Sequence, residues 1–291
     1  MSGKIIIDCD NTLGILLNEV DDGLTILYLL GTPNLELLGV TTTFGNGRID
    51  QVYPQTQKLV KHLDLDLPVL KGEGEANLGQ ATDASRFLVD QVDRRPGEIT
   101  LLAIGPLGNL HAAALEDPDF FSKVKHIIVM GGYLQPVWLG YRNLKELNFS
   151  AHPEASLRVL SSACPAVTVF PAQACLDAPY CLRDIRRADY WPGWMKRTLT
   201  QWLLTFSLYT GGRVFYLWDL LPAVFLVNPE IFNIEPFPLG SNLADLQQGM
   251  LIKAQEKSAP VIQLASGIRD RQAFFNELER GWRKAADTFP L

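Results

Sequence analysis

The chain has 291 residues, of which 47% are hydrophobic and 20% are charged, and its formal net charge is -6 at pH 7. This composition is typical of a folded protein with a large buried core and excludes an extensively disordered chain. The negative charge argues against nucleic acid or an anionic membrane as the main partner. No window approaches the ~18 uninterrupted apolar residues that a membrane-spanning helix needs.

The N-terminal stretch and the cysteines indicate a cellular location. The N-terminal stretch MSGKIIIDCD reaches Asp8 too early for a secretory signal peptide, so we expect a cytoplasmic protein. The four cysteines lack the CxxC spacing of zinc sites and redox motifs. We therefore expect reduced thiols and no disulfide framework.

The first hundred residues alternate between strand-like and helix-like patterns. Short apolar runs rich in β-branched residues predict strands, and apolar residues at helical spacing predict helices. In chain order these are the strand KIII, the helix DDGLTILYLLG, the strand LELLGVTTTFG, a helix at 50–63, the strand LPVL and a helix at 84–92.

The alternation continues through the second part of the chain. Pro106 is expected near the first turn of a helix, because its fixed φ suits that position. Residues 180–228 are rich in aromatic residues and in helix-like sequence. In order, the predicted elements are the strand ITLLAIG, the helix PLGNLHAAAL, the strands VKHIIVM and AVTVFP, the helical region, the strand APVIQLA and the terminal helix RDRQAFFNELERGWRKAAD.

This order of elements predicts an α/β fold. Strands that alternate with helices form a mainly parallel, doubly wound open sheet with helices on both faces, a Rossmann-like core. The dense helical pattern after residue 180 adds a helical C-terminal portion. We find no linker, repeat or low-complexity tract, so residues 1–291 are expected to form a single domain.

Polar residues and glycines follow several of the predicted strands. Asp8 and Asp10 end the first strand, Asn46 follows the second, and Asn109 comes soon after ITLLAIG. Ligands of open parallel sheets bind beyond the carboxyl ends of the strands. These side chains are therefore expected to converge on one edge of the sheet.

Four aspartates lie within the stretch DCDNTLGILLNEVDDG at residues 8–23. Carboxylates this close repel one another unless something positive lies between them. One interpretation is a solvated acidic loop that caps the following helix. The other is a site for a hard cation such as Ca²⁺, which binds carboxylate and carbonyl oxygens.

In the order of its motifs, the sequence resembles the inosine-uridine preferring nucleoside hydrolases. That family opens with a strand and an aspartate cluster that ends in an Asp-Asp pair, as DCD and Asp21-Asp22 do here. Later matches are TTTFGN, LLAIGPLGN, MGG, ELNFSAHPEA and WDLLPAV, which cover nearly the whole chain. The stretch NTLGILLNEV between the two aspartate groups departs from the family as an insertion.

The resemblance implies a nucleoside hydrolase-like fold, a Ca²⁺ cofactor and hydrolysis of nucleosides to base and ribose. It implies Asp10 as the general base. The implied metal ligands are the side chains of Asp10, Asp22 and Asp219 and the backbone carbonyl of Ile104. The residues implied to bind ribose are Asp21, Asn46, Asn143, Glu146 and Asn148. The implied partner is a small-molecule nucleoside, and the chain is expected to form a homo-oligomer, a dimer or a tetramer.

Trp218 occupies the position where many relatives have a histidine as an acid for the departing base. An indole has no proton that titrates near pH 7, so the implied role is stacking on the base. The alternative is core packing, which is the commoner fate of tryptophan. The purine or pyrimidine preference stays open at this point.

Two other functions compete with a nucleoside hydrolase. DCDNT fits the D-x-D-x-T motif of haloacid-dehalogenase-type phosphatases, in which Asp8 would be the nucleophile. No convincing second acidic motif for Mg²⁺ follows later in the chain. The other alternative is a catalytically impaired protein that binds nucleosides or ribose on the same fold. The intact metal aspartates argue against it.

Overall fold

The computed structural model describes residues 3–291. Twelve strands lie in this part of the chain: β1 (Gly3–Cys9), β2 (Leu35–Thr42), β3 (Val69–Lys71), β4 (Ile99–Ala103), β5 (His126–Met130), β6 (Trp138–Leu139), β7 (Arg142–Asn143), β8 (Val167–Phe170), β9 (Pro179–Cys181), β10 (Val214–Tyr216), β11 (Phe232–Pro238) and β12 (Val261–Ile268).

Twelve α-helices lie in the same described range: α1 (Asp21–Leu30), α2 (Ile49–His62), α3 (Asp83–Arg94), α4 (Gly108–Glu116), α5 (Phe120–Lys123), α6 (Pro153–Leu160), α7 (Ala172–Cys175), α8 (Leu182–Arg187), α9 (Gly193–Thr210), α10 (Leu220–Phe225), α11 (Leu243–Leu246) and α12 (Arg271–Thr288). Two 3₁₀ turns cover Glu75–Asn77 and Pro229–Ile231.

Eight strands form one sheet in the order β11-β12-β8-β5-β4-β1-β2-β3. Every neighbouring pair is parallel except β11 and β12, which are antiparallel at one edge. The remaining strands form two small antiparallel ribbons, β6 with β7 and β9 with β10. The predicted α/β fold with a mainly parallel, doubly wound sheet is confirmed.

The central strand β1 shows why the sheet is covered on both faces. Ile5 and Ile7 belong to one hydrophobic cluster and Ile6 belongs to another, because successive side chains of a strand point to opposite faces. The first cluster includes residues of α1, α9, α10 and α12, and the second includes residues of α3, α4 and α6. An uninterrupted apolar run such as KIII is therefore expected in a buried parallel strand.

The order of the strands places a crevice beside β1. The chain moves outward from β1 to β2 and β3, and it then returns to add β4 on the other side of β1. Connections therefore leave the carboxyl ends of β1 and β4 in opposite directions, which is the switch point where open α/β sheets bind ligands. Asp8 pairs with Thr41 of β2 and with Ala103 of β4, so Asp10 and Ile104 come out at this point.

Three local features differ from the sequence-based expectations. The helix expected near Pro106 begins at Gly108 instead. The edge strand β11 was not predicted, because Pro236 and Pro238 argue against a strand. The small ribbons β6–β7 and β9–β10 were not predicted either, because their strands have only two or three residues. Among the described helices, none is both long enough and apolar enough to span a bilayer.

Candidate active site

The carboxyl end of β1 and the start of α1 meet at the switch point. The backbone N–H of Asp10 donates to Oδ1 of Asp22 at 3.0 Å. Asn46, which follows β2, donates its backbone N–H to Oδ2 of Asp10 and its side-chain amide to Oδ2 of Asp22 at 3.3 Å. The predicted convergence of Asp10, Asp22 and Asn46 is therefore present, although ten residues separate the two aspartate groups in the sequence.

A second group of contacts adds the aspartate that precedes α10. The backbone N–H of Asp219 donates to Oδ2 of Asp21 at 3.2 Å. Carboxylate oxygens of Asp21, Asp22 and Asp219 all lie within 4.8 Å of one another, and all three residues are buried. This acidic cluster could bind a metal ion.

The cluster and the adjacent Asp10 also fit a cation, because some of their carboxylate oxygens are unpaired. Oδ1 of Asp10 and Oδ1 of Asp21 are buried and accept no hydrogen bond. A buried polar atom without a partner is costly, and a bound cation would satisfy both oxygens. The donors are all oxygens, which suits a hard cation better than a soft metal.

Burial raises the pKa of every carboxyl group in the cluster. It raises the pKa of Asp21 to about 7 and that of Asp22 to about 6, from 3.8 for an ordinary aspartate. The pKa values of Asp10 and Asp219 are raised well above 3.8, first by burial and then by repulsion from Asp22 and Asp21, respectively. Without a cation, the cluster therefore retains protons near neutral pH.

The neighbouring strand β4 brings the backbone of Ile104 and Gly105 to the same place. Ile104 follows β4, and its N–H donates to the carbonyl of Asp8 at 2.8 Å. A Cβ on Gly105 would lie 3.1 Å from Oδ1 of Asp10, which is tighter than ordinary packing. A glycine at this position therefore lets the β4 end approach Asp10 closely.

A cavity opens beside these residues, and Asn46 and Asp219 connect it to the acidic cluster. Six residues with sequence-predicted roles line it: Asn46, Ile104, Glu146, Asn148, Trp218 and Asp219. The others in its lining are Glu19, Met130, Gly132, Leu144, Lys145, Leu147 and Ala172. Asn143 is exposed on the ribbon strand β7 and is not part of this lining.

Glu146 and Asn148 are held firmly by backbone groups. The Glu146 carboxylate accepts N–H groups from Gly132 at 3.0 Å, Phe149 at 2.9 Å and Ser150 at 2.9 Å. The Asn148 amide donates to the carbonyls of Ile104 and Met130, both at 2.9 Å. Both side chains therefore fix the cavity wall as well as lining it.

Trp218 directly precedes Asp219 of the acidic cluster. Its side chain is 7% exposed and lines the cavity. Its ring lies 5.1 Å from that of Tyr216 at an interplanar angle of 46°. Its backbone carbonyl accepts the Cys175 thiol at 3.5 Å. Trp218 thus packs against Tyr216 and lines the cavity, and its stacking on a base stays a prediction.

Asp8 has a different environment from Asp10. Its Oδ1 accepts the Thr41 hydroxyl at 2.5 Å and the Asn109 amide at 2.7 Å, and the residue is only 1% exposed. Burial raises the pKa of Asp8 to about 7. Its Oδ1 therefore links β1 to β2 and α4, and the phosphatase interpretation of DCDNT gives no reason for these contacts.

Sequence reasoning missed Glu19 and Lys145 in the cavity lining. Glu19 lies in the segment 11–20, where the family resemblance offers no counterpart. Lys145 is adjacent to the predicted Glu146, and nothing in its sequence context distinguishes it from a surface lysine. For Glu19, the available signal was an acidic residue two positions before the Asp-Asp pair.

Comparisons with known proteins agree with this geometry. Uridine nucleosidase 1 of Arabidopsis thaliana is 33% identical over 195 residues, which cover 57% of this chain and 55% of that protein. A pyrimidine-specific ribonucleoside hydrolase of Escherichia coli is 27% identical over 190 residues, 56% of this chain and 58% of that protein. The aligned part of the chain thus spans about half the length of these relatives.

Solved structures share the fold over the whole length. A plant nucleoside hydrolase has a TM-score of 0.81 at 22% identity, and a purine-preferring ribonucleoside hydrolase from Gardnerella vaginalis has 0.82 at 21%. Both alignments cover 97% of this chain and 99% of the other. The sequence profile described as inosine-uridine preferring nucleoside hydrolase matches residues 5–276. The chain therefore belongs to the inosine-uridine preferring nucleoside hydrolase family.

Proposed function

We propose that the chain hydrolyses the N-glycosidic bond of nucleosides and releases the free base and ribose, with Ca²⁺ as cofactor. One observation carries this proposal. Four buried aspartates, two of them with unpaired oxygens, converge at the switch point beside a cavity that also contains Trp218. Family membership supports the same reaction class.

The residues that would hold Ca²⁺ are Asp10, Asp22 and Asp219 with their side chains and Ile104 with its backbone carbonyl. Their donors are oxygens, as Ca²⁺ requires, and the described part of the chain contributes no histidine or cysteine ligand to the cluster. When bound, the cation would offset the repulsion among the carboxylates and lower the pKa of a nearby water.

Asp10 is proposed as the general base. Its Oδ1 accepts no hydrogen bond, while Oδ2 is held by the N–H of Asn46, so one oxygen is free to accept a proton. In the reaction, the C1′–N bond breaks and its electron pair leaves with the base. A bond forms from C1′ to the water oxygen, and a water proton passes to Asp10. The departing base then takes up a proton.

The carboxylates also stabilise the sugar in the transition state. Cleavage of a glycosidic bond passes through an oxocarbenium-like state, in which positive charge develops on the ring. Asp21, Asn46, Glu146 and Asn148 are proposed to bind the ribose hydroxyls, and fixed polar groups of this kind need little reorganisation during the reaction. Asn143 is left out of this set because its side chain is exposed on the ribbon strand β7.

Trp218 is proposed to stack on the base. It lines the cavity next to Asp219, and an indole face stabilises an aromatic base by about 1–3 kcal/mol. Trp218→Ala should therefore weaken the binding of purine nucleosides more than that of pyrimidine nucleosides, because purines have the larger ring surface. An equal loss for all substrates would show that Trp218 serves packing alone.

The test is an assay of ribose release from a panel of purine and pyrimidine nucleosides, with Ca²⁺ and with a chelator. We expect release that the chelator abolishes, and a loss on the order of 10²–10⁴-fold in kcat for Asp10→Ala. Phosphate release from phosphomonoesters serves as the control for the phosphatase alternative. Nucleoside binding without any ribose release would instead support the catalytically impaired binding protein.

We also propose that the chain forms a homo-oligomer. Exposed apolar side chains support this: Trp138, Tyr141 and Leu208 are 65%, 60% and 81% exposed. The Tyr141 hydroxyl donates to the carbonyl of Leu208 at 2.5 Å, so two of them lie side by side. Exposed apolar groups that lie together often mark an interface. Light scattering should give a dimer or tetramer mass, and Leu208→Glu should lower it.

A further inference from the structure

A second cavity, hereafter the histidine cavity, opens where α4 and α6 pack together. Leu110 of α4 and Ala155 of α6 belong to the same buried hydrophobic cluster. Of the described residues that line the histidine cavity, none also lines the cavity beside the acidic cluster. Its ionisable lining residues are His111, His152 and Glu154. Two of the four histidines of the chain therefore meet at a place that the proposed function does not use.

His152 is held in one orientation by a buried carboxylate. It directly precedes α6, and its Nδ1 lies 3.1 Å from Oε2 of Glu73, which is fully buried. The other carboxylate oxygen of Glu73 accepts the N–H of Gly79 at 2.6 Å. Because an ionised carboxylate only accepts, Nδ1 of His152 carries the proton, and Nε2 of the neutral ring keeps its lone pair. Metal-binding histidines are commonly oriented by a carboxylate in this way.

The ring nitrogens of both histidines have no other partners. Within residues 3–291, Nε2 of His152 takes part in no hydrogen bond. His111 lies half-buried on α4, and its Nδ1 is buried without a hydrogen-bond partner. Burial, followed by repulsion from His152, lowers the pKa of His111, so its ring stays neutral near pH 7. A neutral imidazole can bind a metal ion, but it does not attract an anion by charge.

The two rings lie at the distance that a shared metal ion requires. Zn²⁺ binds imidazole nitrogens at about 2.0–2.1 Å, so each ring centroid would lie about 3.2 Å from the ion. Two such ligands at the tetrahedral angle place their centroids about 5.2 Å apart. The centroids of His111 and His152 are 5.3 Å apart, at an interplanar angle of 73°. No hydrogen bond among the described residues fixes the ring of His111, so it can turn toward the ion.

We propose that His111 and His152 form a second metal site, which binds a divalent transition-metal ion such as Zn²⁺, and that Glu73 is the positioning residue of this site. Glu73 would keep Nε2 of His152 available to the ion. The inference goes beyond the proposed function, because it requires neither a nucleoside nor the acidic cluster.

The donor atoms decide which cations fit. Imidazole nitrogens suit Zn²⁺, Ni²⁺ and Cu²⁺, whereas Ca²⁺ and Mg²⁺ prefer oxygen ligands. Among the residues that the structure describes, Asp21, Asp22 and Asp219 form the only group of three or more candidate metal ligands within 4.8 Å of one another. The histidine cavity therefore offers two protein ligands, and water would complete the coordination of the ion.

The test is titration of the full chain, without a histidine tag, with Zn²⁺ in a calorimeter. Excess Ca²⁺ in the buffer keeps the acidic cluster occupied, so the heat reports Zn²⁺ binding elsewhere. We expect one Zn²⁺ ion per chain. Cu²⁺ bound in its place should show two nitrogen ligands by electron paramagnetic resonance.

Variants assign the site to its residues. His111→Ala should weaken Zn²⁺ binding on the order of 100-fold, at least as much as loss of an outer partner does, and Glu73→Gln should weaken it about tenfold. His62→Ala is the matched control, because it removes an exposed histidine outside the cavity and should leave Zn²⁺ affinity unchanged. His152→Ala leaves buried Glu73 without its partner, so His111→Ala, which breaks no hydrogen bond of the described chain, is the primary variant.

Four results would overturn the inference. They are a wild-type chain that binds no Zn²⁺ in Ca²⁺ buffer, an unchanged Zn²⁺ affinity in His111→Ala or in Glu73→Gln, and an equal loss in His62→Ala. The fourth is a Zn²⁺ affinity that falls in Asp22→Asn as far as in His111→Ala, which would place the ion at the acidic cluster. Zn²⁺ binding needs no turnover, so this inference and the proposed hydrolysis are tested independently.

Discussion

Asp22→Asn gives the sharpest test of the acidic cluster, because it should have opposite effects without and with Ca²⁺. Asp22 is fully buried, and burial raises its pKa from 3.8 to about 6. Holding its charge in the metal-free fold therefore costs on the order of 3 kcal/mol at pH 8. In the wild type, the N–H of Asp10 donates to Oδ1 of Asp22 at 3.0 Å. In the variant, the asparagine oxygen can still accept this hydrogen bond.

Part of this gain is offset by the lost charge-assisted contact with the Asn46 amide, which lies 3.3 Å from Oδ2 of Asp22. That contact contributes about 1 kcal/mol. We therefore expect the metal-free variant to be more stable than the wild type by about 2 kcal/mol at pH 8. For a chain of 291 residues, this corresponds to a rise of roughly 3 °C in Tm.

The sign of the pH dependence follows from the raised pKa. A carboxyl whose folded pKa lies above its unfolded value stabilises the fold below the unfolded pKa and loses this contribution as pH rises through the folded pKa. The advantage of Asp22→Asn in chelator should therefore be small near pH 4, grow up to about pH 6 and stay constant above it. Thermal unfolding with chelator at several pH values measures this.

Added Ca²⁺ should reverse the order of stability. The wild type should gain about 2.7 kcal/mol at a Ca²⁺ concentration 100 times the Kd, and Asp22→Asn should gain far less because a ligand is missing. The reasoning is refuted if the variant is less stable than the wild type in chelator at pH 8. It is also refuted if Ca²⁺ stabilises both proteins equally.

Two further predictions concern residues that surround Asp10. Gly45→Ala would place a Cβ against Oδ2 of Asp10. We therefore expect kcat for ribose release to fall on the order of 10²-fold, while nucleosides still bind. An unchanged kcat would contradict this geometry. Asp8→Asn keeps an oxygen for the Thr41 and Asn109 donors and removes a carboxyl whose pKa is raised to about 7. In chelator, the stability of Asp8→Asn relative to the wild type should therefore increase between about pH 4 and pH 7. Urea unfolding at several pH values measures this difference. Parallel pH profiles of the two proteins would contradict the prediction.

The parts of the fold that could be predicted are those in which local pattern and burial agree. KIII, ITLLA and HIIVM are continuous apolar runs, and each forms a strand buried in the middle of the sheet. Strand β11 could not be predicted, because it tolerates Pro236 and Pro238 only as an edge strand, and edge position depends on the assembled sheet. The local sequence pattern does not show whether a strand lies at the edge of the sheet.

The part of the candidate site that could be predicted consists of residues that follow strands or lie in motifs. The order of the strands explains why Asp10, Asn46 and Ile104 converge, since they follow β1, β2 and β4, which are neighbours in the sheet. Asn143 could not be placed this way, because it lies on a two-residue ribbon strand away from the sheet edge. The convergence of these strand ends therefore follows from topology, whereas the cavity wall depends on loop conformation.

The loop formed by residues 11–20 shows why the remaining part of the site needs the structure. The loop turns through left-handed conformations at Gly14 (φ 94°) and Leu17 (φ 66°), and a left-handed leucine is strained. Leu16 and Leu17 are exposed by 64% and 56%, whereas Glu19 lines the cavity. Apolar side chains at the loop tip and a carboxylate toward the cavity invert the usual pattern of burial. Local sequence pattern predicts the opposite arrangement, so only the assembled fold shows that Glu19 reaches the cavity.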